Sequence, residues 1–149
     1  MNWKTPDLTA HAPRSPRCKL GGYVILPRML DKGRAQIAGK NGEYHYSCPL
    51  DKRWFEFVGV EPLELLGELE SGAGDMAVLK WIGSNARNSH SPVEIEAWSR
   101  WQETRVPGDL ESREFFNEIH SVAGKDREDI VTWFDLLDLD DYVTFGGAA

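Results

Sequence analysis

The chain has 149 residues and a mass of 16.9 kDa, a length that suits one hydrophobic core and therefore one domain. Hydrophobic residues make up 41% of the sequence and charged residues 28%, a balance that excludes an intrinsically disordered chain. The net charge of −7 and the isoelectric point near 5.1 argue against a general nucleic-acid binder, because such proteins work by neutralising phosphates with cations.

Residues 1–22 lack any helical pattern. Pro6, Pro13 and Pro16 interrupt the segment, and proline removes a backbone donor and disfavours helix at the residue before it. We predict an irregular arm over residues 1–22 that packs on a single helical domain of residues 23–145, followed by a flexible tail at 146–149. No apolar segment has the length of a membrane helix or the form of a secretion signal, so a cytoplasmic location with no membrane partner is expected.

Proline in the first turn and glycine after the last turn predict the helices of the first half. Four helices are expected, over Pro27–Ala38, Pro49–Val58, Pro62–Glu70 and, with Asp75 as its cap, Met76–Arg87. Residues 43–46 follow an Asn-Gly turn and form the one place for a strand. Four residues are too few to establish a sheet.

Three further helices are predicted in the second half. The fifth begins at a capping box between Ser91 and Glu94, with Pro92 at its first position. The sixth spans Ser112–Ala123 with an apolar face of Phe115, Ile119 and Val122, and the seventh runs from after Asp126 to Asp138 with a wide apolar face of Ile130, Trp133, Phe134 and Leu137. That width predicts the seventh as the central helix. The sequence thus predicts an all-α fold, an orthogonal bundle of about seven short helices with an irregular N-terminal arm.

The charges are distributed unevenly along the chain. Residues 1–53 carry ten basic and four acidic residues, a net charge of +6, whereas the remainder has a net charge of −13. Two regions of opposite sign would attract separate partners. In so short a chain we favour the alternative, in which the basic third packs against the acidic remainder. The sequence leaves the oligomeric state open.

The first helix concentrates four charges, at Arg28, Asp31, Lys32 and Arg34. Arg28 and Lys32 lie one turn apart and would jointly hold an anionic group. Tyr44 and His45 follow in a loop that supplies a ring and a hydrogen-bonding group, so Arg28, Lys32, Tyr44 and His45 are the candidate ligand-binding residues. The alternative is a solvated charged face that pairs with the acidic C-terminal helices.

The loop at Gly39–Gly42 has the G-x-x-G spacing with which KH domains clamp nucleic acid. It does not open into a helix, however, and a helix end followed by an Asn-Gly turn explains it better. Tyr44 and Tyr46 beside Lys40 keep single-stranded nucleic acid as a minor alternative. Nucleic acid is therefore not an expected partner.

Histidine and cysteine spacing predicts no metal site, and no sequence motif indicates a cofactor. Cys18 and Cys48 are expected to be free thiols, and basic neighbours at Arg17 and Lys19 favour a reactive thiolate at Cys18 only weakly. His120 is the candidate catalytic residue, because a half-buried histidine among carboxylates transfers protons near neutral pH. The alternative for His120 is a hydrogen-bonded residue of the core.

Three segments carry a resemblance. They are Ser15-Pro16-Arg17 with Leu20-Gly21-Gly22-Tyr23, the string LPRMLDKGRA at residues 26–35, and Arg113-Glu114-Phe115-Phe116 with WFDLLD at residues 133–138. Together they resemble the bacterial family catalogued as domain of unknown function 5069, from about Asp7 to Gly147. The resemblance implies a stand-alone helical bacterial protein without an assigned activity, and it supplies no catalytic residues.

Two functions remain open from the sequence. We expect a non-catalytic binding or regulatory module in which Arg28, Lys32 and the Tyr44–His45 loop hold an anionic small molecule or an acidic protein segment. The alternative is a small-molecule enzyme that uses His120 as acid or base and Arg28 to bind an anionic substrate. Convergence of His120 and Arg28 on a deep pocket would favour the enzyme, and a shallow basic groove would favour the module.

Overall fold

The structure, a computed structural model, describes residues 2–149. Within that range the chain forms seven α-helices: α1 Leu26–Ile37, α2 Pro49–Val58, α3 Pro62–Glu70, α4 Asp75–Asn85, α5 Pro92–Thr104, α6 Leu110–Gly124 and α7 Trp133–Thr144. Residues 43–46 form no strand, and the one β-type pairing among the described residues is an isolated bridge between Leu20 and Tyr23. The predicted all-α class is confirmed.

Local signals place most of the helix ends. The bounds of α2 and α3 agree with the prediction, and the capping box of α5 is present, with Ser91 Oγ accepting from the Glu94 amide at 3.2 Å. Helix α4 begins one residue early, at Asp75, with Gly74 as its N-cap. Asp75 does not cap it, because its carboxylate binds Arg14 and Arg34 instead.

Helix α1 is the central helix, and the prediction that α7 holds this position was wrong. Ten consecutive residues of α1, from Leu26 to Ala35, are buried. The apolar members Leu26, Met29 and Leu30 enter the main core with residues of α2, α3 and α4. The four charged residues of α1 are buried as well, which is possible because each meets an opposite charge.

The start of α7 also differs from the prediction. The helix begins at Trp133, because Thr132 Oγ1 accepts from the Asp135 amide at 3.1 Å and Asp135 Oδ2 accepts from the Thr132 amide at 2.9 Å. This reciprocal cap ends the preceding turn, so the apolar face predicted to start at Ile130 is shorter. At its other end α7 continues to Thr144, six residues beyond Asp138.

The buried face of α6 is not the predicted one. Phe115 and Val122 are 57% and 85% exposed, whereas Phe116 and Ala123 pack against α7. Two apolar stripes lie side by side on this helix, and helical periodicity alone does not choose between them. The position of α7 decides which stripe is buried.

Charge pairing joins the basic third of the chain to its acidic remainder, as expected. The cross-pairs are Arg14–Asp75, Arg17 with Asp135 and Asp138, Lys19–Glu103, Arg28–Asp141 and Arg34–Asp75. Arg28–Asp141 is buried on both sides, and Arg34 is buried against a partly exposed Asp75, so the two oppositely charged regions share one interior. None of the seven helices in residues 2–149 combines the length and the apolar character needed to span a membrane.

Candidate functional site

Arg28, the first predicted ligand-binding residue, is 4% exposed and pairs with Asp141 of α7. Its Nη1 lies 2.6 Å from Asp141 Oδ2, and its Nη2 lies 3.2 Å from Oδ1. Tyr44 donates its hydroxyl to Asp141 Oδ1 at 2.7 Å, and its ring lies beneath the Arg28 guanidinium, 5.4 Å away. Burial lowers the pKa of Arg28, but bonding to Asp141 outweighs it and leaves the pKa raised.

Lys32 is also paired within the chain. Its Nζ lies 2.8 Å from Asp51 Oδ2 and donates to Cys48 Sγ at 3.2 Å. The structure thus places Arg28 and Tyr44 on one carboxylate and Lys32 on another, while His45 is exposed on the loop. Both cations already hold an internal anion, and a ligand-binding role for these four residues stays a prediction.

A second ion-pair network is centred on Asp31 of α1. Asp31 is fully buried and accepts three hydrogen bonds from Arg14, at 2.9 to 3.0 Å. Arg14 and Arg34 both bind Asp75 at the start of α4, at 2.7 Å and 2.9 Å. Two cations and two anions therefore alternate, and the network balances its own charge.

Asp75 makes this network sensitive to acid. Burial raises the pKa of Asp75, but hydrogen bonds from Arg14 and Arg34 lower it more, so the pKa lies below its usual value. A carboxylate with a lowered pKa stabilises the fold at neutral pH, and this stabilisation is lost as the pH falls from about 4 through the folded-state pKa.

We therefore expect Asp75→Asn to lower the urea midpoint at neutral pH, with the gap to the wild type closing below about pH 4. Urea titrations followed by circular dichroism across that range measure the gap. The exposed Asp126, replaced by asparagine, is the matched control. A gap that stays constant into acid would contradict the assignment.

The arginines that line two of the surface clefts already have acidic partners. The larger has a volume of about 800 Å³ between the N-terminal arm and the start of α4, and its arginines are the paired Arg14 and Arg34. The smaller, about 270 Å³, places Arg17 and Arg127 among three aspartates. Neither cleft presents an excess of unpaired positive charge beyond the exposed Lys4.

His120 contacts a backbone carbonyl group and an aromatic ring. Its Nε2 is 2.9 Å from the carbonyl oxygen of Arg127, and its ring packs edge-on against Phe116. Arg28 has a different set of partners, around Asp141. The enzyme hypothesis stays a prediction.

In the described part of the chain, no three histidine, cysteine or acidic residues are arranged to hold a metal ion.

Two half-buried arginines on an exposed ring have no acidic partner within residues 2–149. Arg53 of α2 and Arg105, which follows α5, lie 5.5 Å and 5.9 Å from the ring centroid of Trp101. Trp101 itself is 56% exposed. We call these three residues the arginine–tryptophan cluster.

The two arginines of this cluster repel each other. Partial burial lowers the pKa of Arg105, and the charge of Arg53 lowers it further. Within residues 2–149, neither guanidinium has a carboxylate within 4.0 Å, whereas seven of the other eight arginines do. The Trp101 ring offsets part of this repulsion through its negative face.

Apolar side chains extend the surface beside the cluster. Val106, next to Arg105, is 43% exposed. The amide of Trp133 donates to the carbonyl oxygen of Arg105 at 3.0 Å, and Phe115 packs 6.4 Å from the Trp133 ring. We call the three exposed apolar side chains Trp101, Val106 and Phe115 the apolar strip.

The arginine–tryptophan cluster is absent from the sites predicted from the sequence. Trp101 and Arg105 have the i, i+4 spacing that brings a ring and a cation together on a helix, and this signal was available. Arg53 is 48 residues earlier in the chain, and nothing local connects it to Trp101.

Comparison with known proteins gives one result. The family described as "Domain of unknown function (DUF5069)" matches residues 10–143, a range that includes the arginine–tryptophan cluster and the ion pairs of α1. A search of curated proteins gives no match.

Proposed function

The chain belongs to the DUF5069 family, whose description names no activity, and from its geometry we propose a non-catalytic binding module for an acidic segment of a partner protein. The proposed contact surface is the arginine–tryptophan cluster with the apolar strip beside it. The observation that carries the proposal is that Arg53 and Arg105 lie on one exposed ring, with no carboxylate of residues 2–149 within 4.0 Å of either guanidinium.

Unpaired arginines held close together favour an anionic ligand. The chain has 24 acidic residues, yet none in the described range lies within 4.0 Å of either guanidinium, so a bound anion would relieve the repulsion between Arg53 and Arg105. Guanidinium groups bind carboxylates through two parallel hydrogen bonds, which gives direction as well as attraction.

The surrounding surface favours a protein segment over a small molecule. Small-molecule sites are concave and bury most of the ligand, whereas Trp101 is more than half exposed. Tryptophan and arginine are the residues that contribute most often to protein–protein binding energy. The apolar strip through Val106 and Phe115 would contact the apolar residues of such a segment.

A selection from a random peptide library tests the proposal, with the wild-type protein as target and the double variant R53Q/R105Q as the rejected counter-target. We expect the enriched peptides to combine acidic and apolar residues. Calorimetry on one of them should show binding weakened about fivefold by Arg53→Gln or Arg105→Gln, the effect of one exposed ion pair. Trp101→Ala should weaken it by about thirtyfold or more, as for a buried anchor.

Arg100→Gln is the matched control, because Arg100 is exposed on α5, the helix that carries Trp101, and pairs with Glu96. It removes the same charge and should leave the affinity unchanged. The proposal fails if enriched peptides lack acidic residues, or if R53Q/R105Q binds them as well as the wild type does. Tighter binding of pyrophosphate than of any peptide would indicate a small-molecule site instead.

A further inference from the structure

Cys48 lies in a cluster that the proposed binding function does not use. Lys32 Nζ contacts both Cys48 Sγ, at 3.2 Å, and Asp51 Oδ2, at 2.8 Å. The side chains of Lys32 and Asp51 are 4% and 0% exposed, whereas Cys48 is partly accessible. A thiol, a cation and a carboxylate are thus held in contact, with the thiol nearest to solvent.

The backbone fixes the position of the sulfur. Cys48 is the N-cap of α2, where the free amides of the first helical turn concentrate positive potential. Ser47 before it has φ 61°, a left-handed conformation uncommon outside glycine, and its amide donates to Asp51 Oδ2 at 3.0 Å. Asp51 therefore orients both the turn and the ammonium that contacts the thiol.

Asp51 carries an unused acceptor in this cluster. Its Oδ1 is buried and makes no hydrogen bond within residues 2–149. Buried carboxylate oxygens normally have a donor, and leaving one without a partner costs free energy. Asp51 Oδ1 can therefore accept a hydrogen bond from one further donor.

Activated thiols share this arrangement: the nucleophile contacts a charged group, and a third residue orients that group. An ammonium at hydrogen-bond distance stabilises the negative charge that the sulfur carries as a nucleophile. The arrangement favours reaction at Cys48 over reaction at the more exposed Cys18, which has no hydrogen bond to its sulfur in the described chain.

We propose that the Cys48–Lys32–Asp51 cluster is a peroxide-reactive thiol site, at which hydrogen peroxide oxidises Cys48 to a sulfenic acid. The sulfur electron pair forms an S–O bond to one peroxide oxygen and the O–O bond breaks. The leaving hydroxide takes up the thiol proton and departs as water. Sulfur loses two electrons and peroxide gains them, and the new S–O–H group adds a hydrogen-bond donor to a cluster in which Asp51 Oδ1 lacks one.

Cys18 is the internal control for this proposal. The wild-type protein is treated with hydrogen peroxide and a dimedone probe for sulfenic acid, and labelling at each cysteine is followed by peptide mass spectrometry. Exposure alone predicts faster labelling of Cys18, whereas the proposal predicts labelling of Cys48 about tenfold faster or more. Equal labelling, or faster labelling of Cys18, would overturn the proposal without any variant.

A neutral double variant, K32M/D51N, tests the role of the cluster while leaving no unpaired charge. Labelling of Cys48 should fall to the rate of Cys18, and labelling of Cys18 should not change. The far-ultraviolet circular dichroism shows whether the variant is folded. A folded variant in which Cys48 keeps its rate would show that Lys32 does not activate the thiol.

Discussion

Replacing Asp141 by alanine is expected to lower the free energy of unfolding by about 3–5 kcal/mol, the cost of removing one partner from a buried ion pair. The Arg28 guanidinium is 4% exposed and would keep its charge, with the Arg14 carbonyl oxygen at 3.2 Å as its remaining acceptor. The Tyr44 hydroxyl would lose its acceptor at the same time. Urea unfolding followed by tryptophan fluorescence measures the loss.

Two further variants separate the lost pair from a general effect on α7. Asp138→Ala removes from the same helix a partly exposed carboxylate that pairs with Arg17 and accepts from Ser15 Oγ, and it should cost no more than about 2 kcal/mol. The double variant R28M/D141L removes both charges and should recover most of the lost stability, because no buried charge then lacks a partner. If Asp141→Ala costs no more than Asp138→Ala, the central role of this pair is refuted.

Deleting residues 2–19 is expected to leave the remaining chain unable to fold stably. The deletion exposes the surface that Leu8, 1% exposed, covers, a loss of about 2 kcal/mol. It also removes Arg14, the main partner of the fully buried Asp31, at a cost of about 3 kcal/mol. The combined loss of about 5 kcal/mol approaches the whole stability of an ordinary domain.

Thermal melting and brief trypsin treatment measure this effect. Deletion of residues 2–5 is the control, because those residues are exposed and their removal should shift the melting temperature only slightly. In the intact protein, cleavage after Arg14 and Arg17 should be slow. A folded fragment of residues 20–149 with an unchanged melting temperature would show that the arm is dispensable.

The sequence by itself determined the class of the fold and the ends of most helices. Proline at a first turn, glycine at a helix end and the Ser91–Glu94 cap are local signals, and the structure of α2, α3 and α5 follows them. The excess of basic residues before position 53 also predicted correctly that the first third pairs with the rest. Thr132 and Asp135 formed an equally local signal for the start of α7, which was overlooked.

Only the tertiary structure decided which groups meet. Arg28 and Asp141 are 113 residues apart, and no local rule selects that partner over the other acidic residues. The buried stripe of α6 depends on where α7 packs, and Arg53 of α2 meets the Trp101 ring although the two residues are 48 positions apart in the chain. Helix formation depends on neighbours within about four residues, whereas burial and charge pairing depend on distant segments, so composition constrains them without assigning partners.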